Sequence, residues 1–320
     1  MIIKQRTKPV MIDVDEGLLR RLPLNHRKRK KVADDLAIRQ VGFQGEEAID
    51  YYLDKLPKQH LHIFNDIRIK NRKYHFQMDT LLLTPSFALI IEIKSLVGTL
   101  IFDTNTKQFI RVYHGVEEGF QDPIMQVEEQ REQLIDWLCN YQLDSLPIEY
   151  VVGISNPATI IKANPGSEHI YDFVLHFDYL KQKYLELKKK YPEPQLDNQQ
   201  IKLLGQQLIQ SHTPLIEDIH TLYGISEHDI QRGVFCPVCK NRAMNKIYRK
   251  WRCPSCRFES TTAYQQAIID YLLLISPTIT NQQCREFLLL NDRRAATRLL
   301  TSSGLPFTGA NKGRVYYRKD

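Results

Sequence analysis

Four residues with strongly polar or charged side chains are set into an almost wholly apolar stretch, QMDTLLLTPSFALIIEIK: Gln77, Asp79, Glu92 and Lys94. Two carboxylates, an amide and an amine in one hairpin are the ingredients of a catalytic metal site. Side chains alternate faces along a strand, so Gln77 and Asp79 share one face and Glu92 and Lys94 share another. Thr84-Pro85-Ser86-Phe87 reads as the turn. A hairpin symmetric about Pro85 and Ser86 sets Asp79 opposite Glu92 and Gln77 opposite Lys94. Facing Cβ atoms lie roughly 4.5 to 5.5 Å apart, close enough for two carboxylates to hold one divalent cation. Unpaired charge in so apolar a sheet costs several kcal/mol, roughly, unless a metal or a salt bridge compensates. The competing reading is therefore a structural ion pair between Lys94 and Asp79 or Glu92.

The elements that must carry these residues follow from periodicity. GFQGEEAIDYYLDKL from Gly42 reads as a helix with Ala48, Ile49, Tyr52, Leu53 and Leu56 on one side and Pro57 closing it. A strand over 62–69, the hairpin, and a short strand over 108–113 follow. Pro123 opens a helix to Leu138 with Val127, Leu134, Ile135 and Leu138 as its apolar stripe, and 148–154 is a further strand. Helix, antiparallel strands, helix and strand in that order indicate an α/β core with a mixed sheet.

The 320 residues allow two or three domains. No apolar stretch approaches the length of a membrane span, and the first 20 residues carry Lys4, Arg6, Asp13, Asp15 and Glu16 in place of a signal core. The expectation is a cytoplasmic protein without membrane association, and six cysteines are too few for a disulfide scaffold. The net charge of +7 is uneven: residues 232–320 carry 16 Lys or Arg against five acidic residues, whereas residues 1–231 carry 28 against 32. A basic segment joined to a mildly acidic one is the footprint of a polyanion binder, with an ordinary solvated basic surface as the alternative. The run His26-Arg27-Lys28-Arg29-Lys30-Lys31 receives no role.

Cys236-Pro-Val-Cys239 and Cys253-Pro-Ser-Cys256 are two knuckles whose four thiolates suit a structural Zn²⁺ with no open coordination position. Phe235, Tyr248, Trp251 and Phe258 are available to cover so small a module. Lys246, Arg249, Lys250 and Arg252 lie among these aromatics, a composition that contacts phosphates and stacks on bases. The module resembles the four-cysteine ribbons at the C-termini of type I topoisomerases, over the ribbon alone. Beyond it, 263–275 reads as a helix, Thr280 caps a second through Leu289, and Asp292 caps a third ending at Gly304. Gly309-Ala-Asn-Lys-Gly313 then turns between two short strands, the outline of a winged helix-turn-helix. Arg293, Arg294 and Arg298 would lie on the third helix and Lys312 and Arg314 on the wing. A helical protein-docking module is the competitor.

Taken together, Gly42-Phe-Gln-Gly45-Glu46, Gln77-Met-Asp79, Glu92-Ile-Lys94 with Gly98 following, and Asp122-Pro123-Ile-Met-Gln126 resemble the NERD (nuclease-related) domain over about residues 38–160. The resemblance implies a restriction-endonuclease-like core and places Glu46, Asp79, Glu92 and Lys94 on its acidic and lysine positions. Gln77 matches the glutamine before the acid, and Gln126 that of the following helix. Related nucleases often carry Q-x-x-x-Y there; position 130 is Gln130, so a tyrosine contact is absent.

The expected organisation is a basic extension (1–37), a nuclease-like domain (38–180), a helical linker (181–231), a zinc ribbon (232–259) and a winged-helix-like module (260–320). The expected function is Mg²⁺- or Mn²⁺-dependent hydrolysis of DNA, double- or single-stranded, with Asp79, Glu92 and Glu46 on the metal, and with homodimerisation as one route to cutting both strands. The alternative is a catalytically inactive nuclease-like protein that binds DNA or regulates.

Overall fold

The computed structural model describes residues 1–240 and 243–318. The chain divides into two compact units, Met1–Lys8 with Gln40–Leu215 and Pro9–Arg39 with Ile216–Asp320. The first holds 20 Lys or Arg against 23 Asp or Glu, the second 24 against 14. The positive excess of the second unit thus includes the 26–31 run. Among the described residues no helix is long and apolar enough to cross a membrane.

In chain order the elements begin with strand β1 (Ile2–Lys4), helix α1 (Val10–Arg21) and helix α2 (Arg29–Leu53), whose residues from Gln40 belong to the first unit. There follow β2 (His62–Asn71), β3 (Tyr74–Leu83), β4 (Ala88–Lys94), β5 (Thr99–Asp103), β6 (Gln108–Tyr113) and β7 (Val116–Phe120). Helix α3 (Pro123–Cys139), β8 (Ile148–Ile154), β9 (Ile160–Ala163), β10 (Val174–His176), α4 (Leu180–Lys190) and α5 (Asn198–Ser211) complete the first unit. A six-stranded mixed sheet in the order β1-β2-β3-β4-β8-β10 forms its centre, beside a four-stranded sheet ordered β7-β6-β5-β9. Antiparallel pairing joins β2 to β3 and β3 to β4, whereas β8 runs parallel to both β4 and β10.

Helices cover both faces of the six-stranded sheet, which is why its middle strands read as almost unbroken apolar runs. Leu81, Leu83 and Ile90 pack with Val127 and Leu134 of α3 and Leu204 of α5. Their neighbours Leu82, Leu89 and Ile91 pack the other way, with Ile49 of α2 and Tyr184 of α4. Each such side chain contributes roughly 1.5–3 kcal/mol on burial, and a one-residue slip would exchange every contact, so the register is pinned. Pairing runs Leu83 with Ala88 through Thr80 with Ile91, the symmetry about Pro85 and Ser86 expected of the hairpin, and Thr84 closes the turn onto Phe87. Helix α2 begins at Arg29, well before the expected start at Gly42: the polar 29–41 stretch lacks the apolar stripe that marks a packed helix, so its signal was missing.

In the second unit, α6 (Ile219–Tyr223) precedes a three-stranded ribbon of β11 (Asn245–Ile247), β12 (Lys250–Arg252) and β13 (Glu259–Ser260). Then come α7 (Ala263–Leu274), β14 (Thr278–Thr280), α8 (Asn281–Leu288), α9 (Arg293–Ser302), β15 (Phe307–Thr308) and β16 (Val315–Tyr317), with sheet order β14-β16-β15. Thr280 caps α8 in a capping box with Gln283, and Asp292 caps α9. Helix α1 is integral here: Met11, Val14, Leu18 and Leu22 share a core with Tyr271, Leu274 and Trp251. Buried Arg21 pairs with Asp270 at 2.7 Å, donates to the Gly233 carbonyl at 2.6 Å, and lies between the Phe235 and Phe287 rings.

Candidate active site and zinc centre

The sheet opens where the sequence placed its polar residues. Beyond Thr80 and Ile91, β3 continues paired only to β2 and β4 only to β8. Asp79 and Glu92 therefore stand just past the last paired rung, not on a continued ladder. The Ile93 N–H, a strand donor left at the split, is taken by the Asp79 carboxylate at 2.8 Å. A side chain has replaced a ladder partner, which satisfies the backbone while the strands part.

Helix α3 lies across this split because Asp122 caps it and Pro123 stands in its first turn. Two of its glutamines, one turn apart, grip the two ends of one ion pair. Lys94 Nζ donates to Glu92 Oε1 at 2.7 Å and to Gln126 Oε1 at 2.9 Å, and Gln130 Nε2 donates to Glu92 Oε2 at 2.8 Å. Position 130, where no tyrosine contact was expected, thus makes a contact of its own. The ion pair anticipated by the competing reading is present; it joins Lys94 to Glu92 and leaves Asp79 aside.

Glu46 reaches the site from α2. Gly45 makes this approach feasible, for a Cβ there would fall 1.5 Å from Ser95 Oγ. Glu46 Oε2 accepts from Arg6 Nη1 at 3.1 Å; the same nearly enclosed guanidinium donates to Thr80 Oγ1 at 2.9 Å and Asn65 Oδ1 at 3.2 Å. Gln77, expected to face Lys94, turns its amide to Asp66 Oδ1 at 2.9 Å instead. Asp66 holds φ of 51° in mid-strand, a left-handed conformation that Asp tolerates better than most residues.

The sequence alone assigns no site role to Arg6, Asp66 or Gln130. Arg6 lay in a stretch read as a basic extension. Asp66, the lone acid in a strand that also carries Arg68 and Lys70, carried a faint signal, and Gln130 a clearer one, standing one helical turn after Gln126.

Acid crowding governs the electrostatics. Burial first, then the negative charges of Glu92 and Glu46, hold Asp79 well above the usual carboxylate range. Burial pushes Glu46 up to about 7, with Asp66 and Glu92 adding to the rise and Arg6 opposing it. Among the described residues, the group of three or more His, Cys, Asp or Glu side chains placed to hold a metal is the cysteine set, whose ligand atoms all lie within 4.8 Å of one another, and Glu46, Asp79 and Glu92 do not form a second. Glu92 and Glu46 are drawn instead to the Lys94 and Arg6 cations.

Cys236, Cys239, Cys253 and Cys256 do converge. Tetrahedral Zn²⁺ with bonds of about 2.3 Å separates its sulfurs by about 3.8 Å. Cys236 and Cys256 are 3.7 Å apart and Cys239 and Cys253 3.9 Å, so the set fits that ion. Lys240 and Arg257, each directly after a second knuckle cysteine, both adopt left-handed φ, 57° and 60°. Trp251, in the ribbon's central strand β12, is buried, whereas Tyr248 is 82% exposed and does not help cover the ribbon.

The basic side chains of this unit are not equivalent. Lys250 and Arg252 both pair with Glu259 across the ribbon. Arg293, Arg294, Arg298 and Lys312 are exposed, and Arg314 lies over the Phe307 ring at 4.1 Å. Lys246 has its pKa lowered by burial and then by the nearby Arg298 charge, which makes these two neighbours.

The family model described as "NERD: Nuclease-related domain" matches residues 41–155, the segment that holds Glu46, Asp66, Asp79, Glu92, Lys94, Gln126 and Gln130. No curated protein matches the chain. A solved structure that does, the crystal structure of protein VC1899 from Vibrio cholerae, shares 11% identity over 57% of this chain with a TM-score of 0.26. The chain spans about half, 52%, of that structure's length.

Proposed function

We propose that the first unit is a restriction-endonuclease-like nuclease that hydrolyses DNA phosphodiester bonds with Mg²⁺ or Mn²⁺, and that the second unit binds the DNA. The observation that carries this reading is the excess of acid at the sheet split. Glu46, Asp66, Asp79 and Glu92 outnumber Arg6, Lys94 and Lys4, the last 3.8 Å from Asp66, and no cationic side chain among the described residues hydrogen-bonds the Asp79 carboxylate, Arg6 reaching only its backbone carbonyl. A structural ion pair accounts for Lys94 and Glu92 but not for an added Asp79 held against its own titration. Hard oxygen donors with uncompensated charge suit a divalent cation, and the buried Gln130 Oε1, which has no protein partner, suits its hydration.

Asp79 and Glu92, with Glu46, would hold the ion. When bound, it supplies Lewis-acid stabilisation of phosphate charge and a more acidic water. Lys94 gives two of its three N–H groups to Glu92 and Gln126, leaving one for the attacking water or a phosphate oxygen. Gln126 fixes the direction of that amine. Gln77 acts on Asp66 rather than on water.

The exposed cations Arg293, Arg294, Arg298 and Lys312 would contact phosphates. The succession of α7, β14, α8, α9, β15 and β16 with sheet order β14-β16-β15 supports a winged-helix reading of that module, and the sulfur spacings support structural zinc. The second reading is an inactive core that serves only to bind; the Lys94–Glu92 and Arg6–Glu46 pairs favour it, since both resemble structural ion pairs. Incubating plasmid, linear and single-stranded DNA with protein and Mg²⁺ or Mn²⁺, beside Asp79→Ala and Lys94→Ala, separates the two. Cleavage lost in both variants supports the enzyme. Cleavage retained in both removes the site assignment, and tight binding without cleavage by the wild type promotes the second reading.

A further inference from the structure

Gln130 is 5% exposed and divides its amide between two fates. The nitrogen donates to Glu92 Oε2 at 2.8 Å, and the oxygen has no protein partner. Amide orientation is fixed by chemistry here, because turning the group over would set an oxygen against a carboxylate oxygen. A buried carbonyl oxygen left without a partner costs about 1–3 kcal/mol, and such groups are usually met by ordered water. Covalent geometry keeps this oxygen beside the nitrogen, hence beside Glu92.

Gln130 therefore differs in kind from Gln126, which touches only the lysine end of the pair. Glu92 is held at both oxygens, by Lys94 on one and Gln130 on the other, so its carboxylate plane is set by two donors on separate elements. A carboxylate oriented in this way presents the same lone pairs at every encounter with a ligand. A hydrogen-bond acceptor fixed next to it would receive a water bound to that ligand.

We propose that Gln130 is a positioning residue for a divalent cation: its Nε2 fixes the Glu92 carboxylate and its Oε1 accepts a hydrogen bond from a cation-bound water. The proposal rests on the metal site assigned above. Partners behind a metal-ligating group commonly change metal affinity by about 10–100-fold when removed.

The test is Mn²⁺ binding to the full-length, zinc-loaded protein, followed by electron paramagnetic resonance of the free ion and by water-proton relaxation of the bound one. The wild type should bind Mn²⁺ at a site that Asp79→Asn abolishes. Gln130→Met, which keeps the length of the side chain and removes both polar atoms, should weaken binding about 10–100-fold. It should also change the relaxation of the bound water while the metal-free melting temperature moves little. Gln130→Asn, too short to reach Glu92, should weaken binding likewise and serves if the methionine variant fails to fold. Wild-type binding lost in Asp79→Asn but unchanged within twofold in the Gln130 variants overturns this proposal alone. A wild type that takes up no Mn²⁺ overturns the metal assignment and this proposal together.

Discussion

Arg6 and Glu46, forty residues apart in sequence, meet at 3.1 Å beside the split between β3 and β4. The pair ties the segment after the first strand to the helix that delivers the third carboxylate. It also leaves Glu46 poised between a cation that favours its charge and a burial that opposes it.

That balance gives a pH dependence. Glu46 is raised from 4.5 to about 7 in the folded protein, so the folded state binds its proton more tightly than the unfolded chain does. Its contribution is complete below about pH 4.5 and is lost as pH rises through about 7. Metal-free protein should therefore lose about 2 kcal/mol between pH 5 and 8, allowing for coupling to its neighbours. Added Mn²⁺, which needs the carboxylate, should stabilise more as pH rises over the same range. Calorimetric melting of wild type and Glu46→Gln across that range decides it: equal slopes would dismiss the assignment.

Asp79→Asn should have opposite effects on stability and activity. Burial and the Glu92 and Glu46 charges raise the folded-state pKa of Asp79, so the stability it contributes is lost as pH rises, and the neutral amide should raise the metal-free stability on the alkaline side. Metal-dependent cleavage should fall by at least about 10³-fold, the several kcal/mol that a bound ion supplies. A variant that is both less stable and fully active would contradict both halves.

Gly45→Ala tests how closely α2 approaches the site. In an open helix this change usually stabilises by roughly 0.5–1 kcal/mol. Here the new methyl would overlap Ser95 Oγ, so a loss of about 1–3 kcal/mol is expected. Ser95→Gly in the same chain should recover part of it, as urea denaturation would show.

Zinc content should be about one ion per chain and should vanish in Cys253→Ser. The chain has two tryptophans, and Trp251 is buried in the ribbon's central strand. In a Trp137→Phe background, a strong chelator should shift Trp251 emission to the red, because ribbon folding is coupled to the metal. Emission that ignores full zinc removal would argue against that coupling.

Salt dependence should rank the basic residues. Arg298→Ala should lower the slope of log affinity against log salt by about 0.9 if it neutralises one phosphate. Arg252→Ala should do less, since Glu259 already engages that guanidinium. Equal effects in filter binding across 50–300 mM salt would undo the distinction.

Features set by short stretches of chain were legible in the sequence. The hairpin turn, the helix opening at Pro123, the caps at Thr280 and Asp292, and the cysteine knuckles each depend on a few adjacent residues. The mixed sheet followed from the order of elements. Arg6 was hidden because its value comes from a contact across forty residues, and Gln77 was misdirected because Asp66 competes for its amide. Pairing across the hairpin was extended past its true end because symmetry about a turn carries no information on where two strands separate.

Pro9–Arg39 packs into a core whose other part begins at Ile216, with Arg21 bonded to Asp270 and Leu18 packed in the same cluster as Leu274. During synthesis that amphipathic stretch leaves the ribosome nearly two hundred residues ahead of its partners. Its apolar side must wait, shielded or chaperoned, until the residues beyond Ile216 have emerged. A stop codon placed before the ribbon would strand it permanently, so premature termination should yield an aggregation-prone fragment instead of a clean nuclease-like domain.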